Sequence, residues 1–244
     1  MTAFKQARDW NELAELDAMW AVLSGPGTRF GNWDAEEFFA TGKREIAEFQ
    51  GSLGRLGLPR EFDSALDYGC GLGRITRAIA EICPNVLGVD TSQKMIERAR
   101  NLNPNCRFEF NPHPDLRLIP SGQFQLVYCR RVLQHQPSAS DILGYVAEFL
   151  RVLKPAGILA FQIPARIPLL NRIQPRRRLY TLFRSLGVDP VVLYRRGLYP
   201  VSMTAVSDQD VISSLRRANG RVLSVELDTV SCPGIPSNFF YVTK

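Results

Sequence analysis

Apolar positions recur every three or four residues through the first fifty residues of the chain, after which short apolar runs alternate with further helical stretches. Over Asp9 to Leu23, Trp10, Leu13, Leu16 and Trp20 share one stripe, with Glu12, Glu15 and Asp17 mostly off it; this predicts an amphipathic helix stopped by Ser24-Gly25-Pro26-Gly27. A second helix is predicted from an N-cap at Asp34, with Glu37 three residues on, through Phe38 and Phe39 to about Leu56. From Ser64 the pattern changes. Ser64-Ala65-Leu66, Val86-Leu87-Gly88-Val89, Arg107-Phe108-Glu109-Phe110, Phe124 to Cys129 and Gly157 to Ile163 read as strands, the more apolar ones covered on both faces. Between them, helices are predicted over Ile75, Ile79 and Ile82, over Ser92 to Asn101 and over Ser138 to Leu153. A last helix, Ser207 to Asn219 with Val211, Ile212 and Leu215 inward, ends at Gly220, and Arg221 to Leu227 and Asn238 to Val242 alternate as a closing pair of strands. Strands alternating with helices predict an α/β sheet with helices on both faces.

The first strand runs into Leu66-Asp67-Tyr68-Gly69-Cys70-Gly71-Leu72-Gly73-Arg74. Three alternate glycines let the backbone turn sharply and let a ligand approach peptide groups that a Cβ would block, and the helix that follows offers free N–H groups. A dinucleotide fingerprint would space its glycines as G-x-G-x-x-G; here the third glycine comes one position early and Arg74 stands where helix packing wants glycine, which disfavours an NAD-linked oxidoreductase. The second strand ends at Asp90, a carboxylate able to accept from both hydroxyls of a ribose, and Thr91 or Ser92 then caps the next helix.

Asp67-x-Gly69-x-Gly71-x-Gly73, together with Asp90, Val132-Leu133-Gln134-His135 and Arg151-Val152-Leu153-Lys154-Pro155-Ala156-Gly157, resembles the class I S-adenosylmethionine-dependent methyltransferase family. The resemblance implies a seven-stranded Rossmann-like sheet of order 3-2-1-4-5-7-6 with its last strand antiparallel. The one domain divides into an N-terminal helical lid (1–60), an α/β core (61–163 and 201–244) and, departing from the family's minimal fold after the fifth strand, a basic stretch (164–200) read as an acceptor-site insertion. The resemblance also implies S-adenosylmethionine as cofactor and S-adenosylhomocysteine as product. Asp67, Tyr68, Gly69, Cys70, Gly71, Gly73, Asp90, Thr91, Met95 and Arg130 would hold the cofactor, with Asn111 or Pro112 in the place of the family's adenine-binding acid. Thr41, Gly42 and Arg44 would lie near the methionine carboxylate. His135, after the fourth strand, is the candidate general base, against the plainer role of orienting its loop. His113, between two prolines, is read as a surface loop residue.

The composition narrows the acceptor. The chain has 244 residues with 45% hydrophobic content, no long apolar run and no signal-peptide core at its N-terminus, which predicts a soluble, cytoplasmic protein. The five cysteines, at 70, 83, 106, 129 and 232, show neither a disulfide framework nor metal-ligand spacing, so no metal is expected; Cys70 is the one to watch for reactivity. Of the net charge of +6, the stretch from Ala165 to Pro200 carries a surplus: eight arginines (166, 172, 176, 177, 178, 184, 195, 196) against Asp189 alone. Arginine suits planar recognition of carboxylate or phosphate. Arg176, Arg177, Tyr180 and Tyr194, with Phe38, Phe39 and His135, are therefore the candidate acceptor contacts. Strand four leads into Arg130-Arg131 and not an N-P-P-Y motif, which favours O-methylation of a small anionic metabolite, such as a natural product, sugar or nucleotide-linked acceptor in biosynthesis. An RNA or a membrane lipid met through the basic insertion, and a regulatory relative that binds the cofactor without turnover, stand as alternatives; a homodimer is compatible with each.

Overall fold

The computed structural model describes residues 3–168, 172–231 and 234–244, so Cys232 lies outside the described residues. Its centre is a seven-stranded sheet of order β3-β2-β1-β4-β5-β7-β6, the expected order. The strands are β1 Ser64–Tyr68, β2 Asn85–Asp90, β3 Arg107–Phe110, β4 Phe124–Cys129, β5 Leu153–Pro164, β6 Arg221–Asp228 and β7 Ser237–Thr243. β1 to β5 pair in parallel, and β7 runs antiparallel to both β5 and β6. β1 sits between β2 and β4, so the chain leaves it in opposite directions, which opens a crevice beyond the carboxyl ends of β1 and β4.

Helices cover the two faces. On one, α5 (Ala139–Val152) and α8 (Asp208–Arg217) press Val146, Phe149 and Leu150 with Val211 and Leu215 onto Leu66, Val127, Leu159 and Phe240. On the other, α2 (Ala35–Arg55) and α3 (Arg74–Ile79) bring Ile46, Phe49, Leu53, Ile75 and Ile79 against Ala65, Leu126, Tyr128 and Tyr241. α2 was expected with α1 in a lid over residues 1–60; its apolar stripe instead makes it a layer of the core. α4 (Gln93–Leu102) packs Ile96 and Ala99 on Phe108 at the β3 edge.

The caps follow the local chemistry. The Asp34 carboxylate accepts from Glu37 N–H at 2.8 Å, while the Glu37 side chain is drawn off to Arg44 at 2.6 Å. Ser92, and not Thr91, caps α4, its hydroxyl accepting from Met95 N–H at 3.2 Å.

Two boundaries depart from the sequence pattern. β5 begins at Leu153 and not Gly157, because Leu153 already pairs with Phe124; the register then shifts, and Ala156 sits at φ 59°, a conformation that favours glycine. α1 (Ala3–Val22) starts earlier than expected and breaks at Asp17, at φ −169° and ψ 82°. The freed Asp17 carboxylate accepts from Trp20 N–H at 3.4 Å, Gly31 N–H at 3.2 Å and the Tyr194 hydroxyl at 2.7 Å. Within the insertion, α6 (Pro175–Ser185) and α7 (Pro190–Arg195) lie outside α1, joined to it by that Tyr194 bond and by Arg184 to Glu12 at 2.8 Å.

Candidate active site

A cavity opens at the crevice. Its floor is the glycine turn and the ends of β1 and β2, its cover Gln6, Trp10, Ala21 and Val22 of α1, and its far wall Tyr128, Arg130, Arg131, Val132, His135 and Gln136. Gly69 and Gly71 have φ of 77° and 52°, which a side chain resists; a Cβ at Gly69 would also strike the Val132 side chain and one at Gly71 the Val22 side chain. Both neighbours come from other elements, so bare backbone here lets α1 and the β4 loop close down. Gly69 and Cys70 N–H groups are tied to Val89 O at 2.7 and 3.1 Å, which fixes the turn to β2.

At the end of β2, Asp90 is held at both oxygens: Gly71 N–H donates to one at 2.9 Å and Ser92 N–H to the other at 2.8 Å. Burial pushes its carboxyl above the ordinary range, and these N–H donors pull against that. Asp67, 3% exposed, accepts from the Thr76 hydroxyl at 2.6 Å, and burial pushes its carboxyl up to about 7. Burial also raises the Cys70 thiol well above its ordinary value, so the cysteine singled out for reactivity is kept as the unreactive thiol.

The strongest electrostatic feature is a buried knot around Glu45 of α2. Its carboxylate meets Arg74 at 2.9 Å, Arg131 at 2.6 Å and Arg130 at 3.7 Å, and accepts from the Tyr128 hydroxyl at 3.0 Å. Burial pushes the Glu45 carboxyl up, but the guanidinium groups of Arg74, Arg131 and Arg130 outweigh it and bring it down to about 2. Arg130 also pairs with Asp228 at 3.0 Å. Three guanidinium groups thus share the two carboxylates they touch, and Arg74 Nε, buried, has no partner. All three arginines line the cavity.

His135 sits on the same wall. Its Nδ1 lies 2.7 Å from the Ser202 carbonyl, which only accepts, so the neutral ring carries its proton there and its Nε2 accepts from the Gln134 side-chain amide at 3.4 Å. Burial lowers the His135 pKa, partly offset by that bond. The Trp10 ring packs edge-on at 5.2 Å between centroids, and Gln6 donates to the His135 carbonyl at 3.3 Å.

Of the expected cofactor residues, Asp67, Tyr68, Gly69, Cys70, Gly71, Asp90, Thr91, Met95 and Arg130 line this cavity. Gly73 stands behind it as the cap of α3. Asn111 and Pro112 do not line it, and Asn111 turns both ends of its amide to its own loop, Nδ2 donating to Asp115 O at 2.8 Å and Oδ1 accepting from His113 N–H at 3.2 Å.

The expected acceptor residues, His135 apart, lie elsewhere. Phe38 and Phe39 pack with Leu72 and Met95 in a buried cluster. Arg176 is exposed and donates to the Tyr199 hydroxyl, Arg177 donates to Gln174, Tyr180 is buried under α6, and Tyr194 is bound to Asp17. The basic insertion fails to reach the cavity because α1 stands between. Arg44 is likewise outside, paired with Glu37, while Gly42 fits against the Arg74 carbonyl. The charge on the wall comes from Arg74 and Arg131, which the sequence reading passed over, and from Arg130; the available signal was Glu45, an acid on the inward stripe of α2.

Residues 66–161 match the family model described as a methyltransferase domain. The trans-aconitate 2-methyltransferase of Deinococcus radiodurans is 38% identical over 109 residues, 43% of this chain and 40% of that protein. The malonyl-[acyl-carrier protein] O-methyltransferase of Enterobacter lignolyticus is 28% identical over 169 residues, 66% of this chain and 65% of that one. The chain spans about half the length of the first curated relatives it matches, from 40% to 54%. Among solved structures, magnesium protoporphyrin IX methyltransferase from Synechocystis PCC 6803 superposes with a TM-score of 0.63 at 16% identity over all of both chains.

Proposed function

We propose that the chain is a class I S-adenosylmethionine-dependent methyltransferase that methylates an oxygen of a small, carboxylate-bearing acceptor; the match of residues 66–161 to a methyltransferase-domain model and the order of the sheet support the reading. The residues at the cavity fit the cofactor. Asp90 presents a carboxylate fixed by two N–H donors, suited to accept from a vicinal diol, and Gly69 and Gly71 beside it carry no side chain to bar a ligand's approach. When bound, S-adenosylmethionine supplies a methyl group already activated on sulfur, so the chain's task is to bind, orient and exclude water. Gln6, Trp10, Ala21 and Val22 do the last of these by roofing the cavity.

The observation that carries the acceptor class is the arginine surplus on the wall: Arg74, Arg130 and Arg131 against Glu45 and Asp228. A buried guanidinium with an unpaired N–H favours a planar anion. The relatives named above, whose acceptors are trans-aconitate and a malonyl group, support the same class. A carboxylate arrives already ionised and needs no base. A hydroxyl acceptor does, and His135, which lines the cavity with its Nε2 unprotonated and held by the long 3.4 Å bond from Gln134, favours that as the second reading.

Calorimetric titration with S-adenosylmethionine, S-adenosylhomocysteine and NAD, run beside Asp90→Ala, tests the cofactor; binding of the first two that is lost in the variant is expected, and binding of NAD alone would overturn the reading. Turnover on a panel of di- and tricarboxylates against phenols and sugars tests the acceptor. For a carboxylate acceptor His135→Gln keeps most of kcat at neutral pH; a loss of a hundredfold or more, the scale of general-base catalysis, assigns a hydroxyl instead.

A further inference from the structure

α6 turns its apolar face away from the protein. At about 100° per residue, Leu179, Leu182, Phe183 and Leu186 fall within an arc of about 100°, and all four are exposed, Leu182 at 53% and Leu186 at 70%. Tyr180, buried, and Arg184, bound to Glu12, mark the inward side. Arg178 lies about 40° beyond one edge of the arc and Arg176 about 20° beyond the other. α7 continues the surface with Val191 and Val192, both exposed, and ends at exposed Arg195, with exposed Arg196 next. The one acid from Ala165 to Pro200, Asp189, caps α7 through Val191 N–H.

Such a stripe has three candidate occupants. A second copy of the chain would cover the leucines but bring the same arginines together with no acid to meet them. A nucleic acid would pair with the arginines and leave four large apolar side chains in water. An anionic lipid surface satisfies both halves: the leucines enter the acyl boundary while the arginines reach back to the headgroup phosphates. No described helix is long and apolar enough to cross a membrane, so the contact is one of lying on the surface.

We propose that α6 and α7 dock this protein on the surface of an anionic lipid bilayer. The docked face is tied to the roof of the cavity through Arg184 to Glu12 and Tyr194 to Asp17, which places the active site beside the membrane. This goes beyond the methyl-transfer reading and stands without it.

Flotation of the full chain with phosphatidylglycerol–phosphatidylcholine vesicles, compared with phosphatidylcholine alone, is the test. Partitioning at least about tenfold stronger onto the anionic vesicles is expected, falling with salt. Leu182→Glu with Leu186→Glu lowers it at least tenfold, and Arg178→Glu with Arg195→Glu does the same. These positions are exposed, and circular dichroism with S-adenosylhomocysteine titration confirms that each variant is folded and that loss of flotation is separate from loss of the cofactor site. Any of four results overturns the proposal: no preference for anionic vesicles; flotation indifferent to the leucine changes; sedimentation showing a dimer that the leucine changes dissociate; or a single-stranded RNA held more tightly than vesicles and unaffected by the leucine changes.

Discussion

Replacing Glu45 by glutamine keeps the shape of the side chain, leaves an oxygen for the Tyr128 hydroxyl and removes only the charge that Arg74, Arg130 and Arg131 share. The loss can be worked two ways. The carboxyl lies near 2 in the folded chain against 4.5 ordinarily, and at 1.36 kcal/mol per unit that is about 3 kcal/mol of stability at neutral pH. Breaking one side of a buried ion pair costs about 3–5 kcal/mol by the independent route of stranding its partners. A drop of about 3 kcal/mol is therefore expected in urea denaturation at pH 7, or about 6–12 °C in Tm for a chain of this size. The pH dependence is the sharper check. A depressed carboxyl stabilises fully above its unfolded value and loses that contribution as acid brings the pH down toward the folded one. The gap between wild type and Glu45→Gln should thus narrow by roughly 1 kcal/mol between pH 7 and pH 3.5. A gap below about 1 kcal/mol at pH 7, or one that widens in acid, would refute the reasoning and mark the knot as a solvated, weakly coupled set of charges.

Three further perturbations separate burial, backbone and cover. Asp67 has the opposite sign to Glu45: its folded value near 7 lies above the ordinary 3.8, so it costs stability progressively as pH rises from 4 to 7, and Asp67→Asn should gain up to about 4 kcal/mol at pH 8 and nothing near pH 4, read by denaturant titration. Ala156→Gly relieves the positive φ at the start of β5; offset by the entropy of glycine, it should stabilise by a few tenths to about 1 kcal/mol, seen as a rise in Tm. Gly71→Ala drives a methyl group into Val22 and should weaken S-adenosylhomocysteine binding about tenfold or more in calorimetry through displacement of α1; unchanged affinity would show that α1 does not close on the turn.

What the sequence made legible was whatever the backbone requires. Parallel strands buried on both faces must be apolar throughout, and β4 and even the short, more exposed β3 fall where the pattern puts them. A turn at positive φ needs glycine, and Asp90 ends the strand beside it, so nine of the residues expected at the cofactor line one cavity. Asn111 was not legible, because its role depends on which way a loop's hydrogen bonds run and not on residue type. Lys154-Pro155-Ala156, left between the predicted helix and strand, is an irregular strand start held in place by the Leu153–Phe124 pairing across the sheet.

The arginines teach the most. Eight of them close together pointed to an acceptor site, yet density along the chain carries no direction, and α6 turns inward at Tyr180 and outward at Leu182, setting Arg176 and Arg178 on the surface. The cavity's positive wall is assembled instead from Arg74 after the glycine turn and Arg130 and Arg131 after β4, brought together by the β1–β4 pairing. One residue did announce that wall. Glu45 falls on the stripe of Phe38, Ile46, Phe49 and Leu53, the face of α2 that packs inward, and a carboxylate there must find cations or lose its charge. Exposed arginines are under no such compulsion. A single acid on an apolar stripe is therefore the stronger pointer to a charged site, because burial obliges its partners to be present.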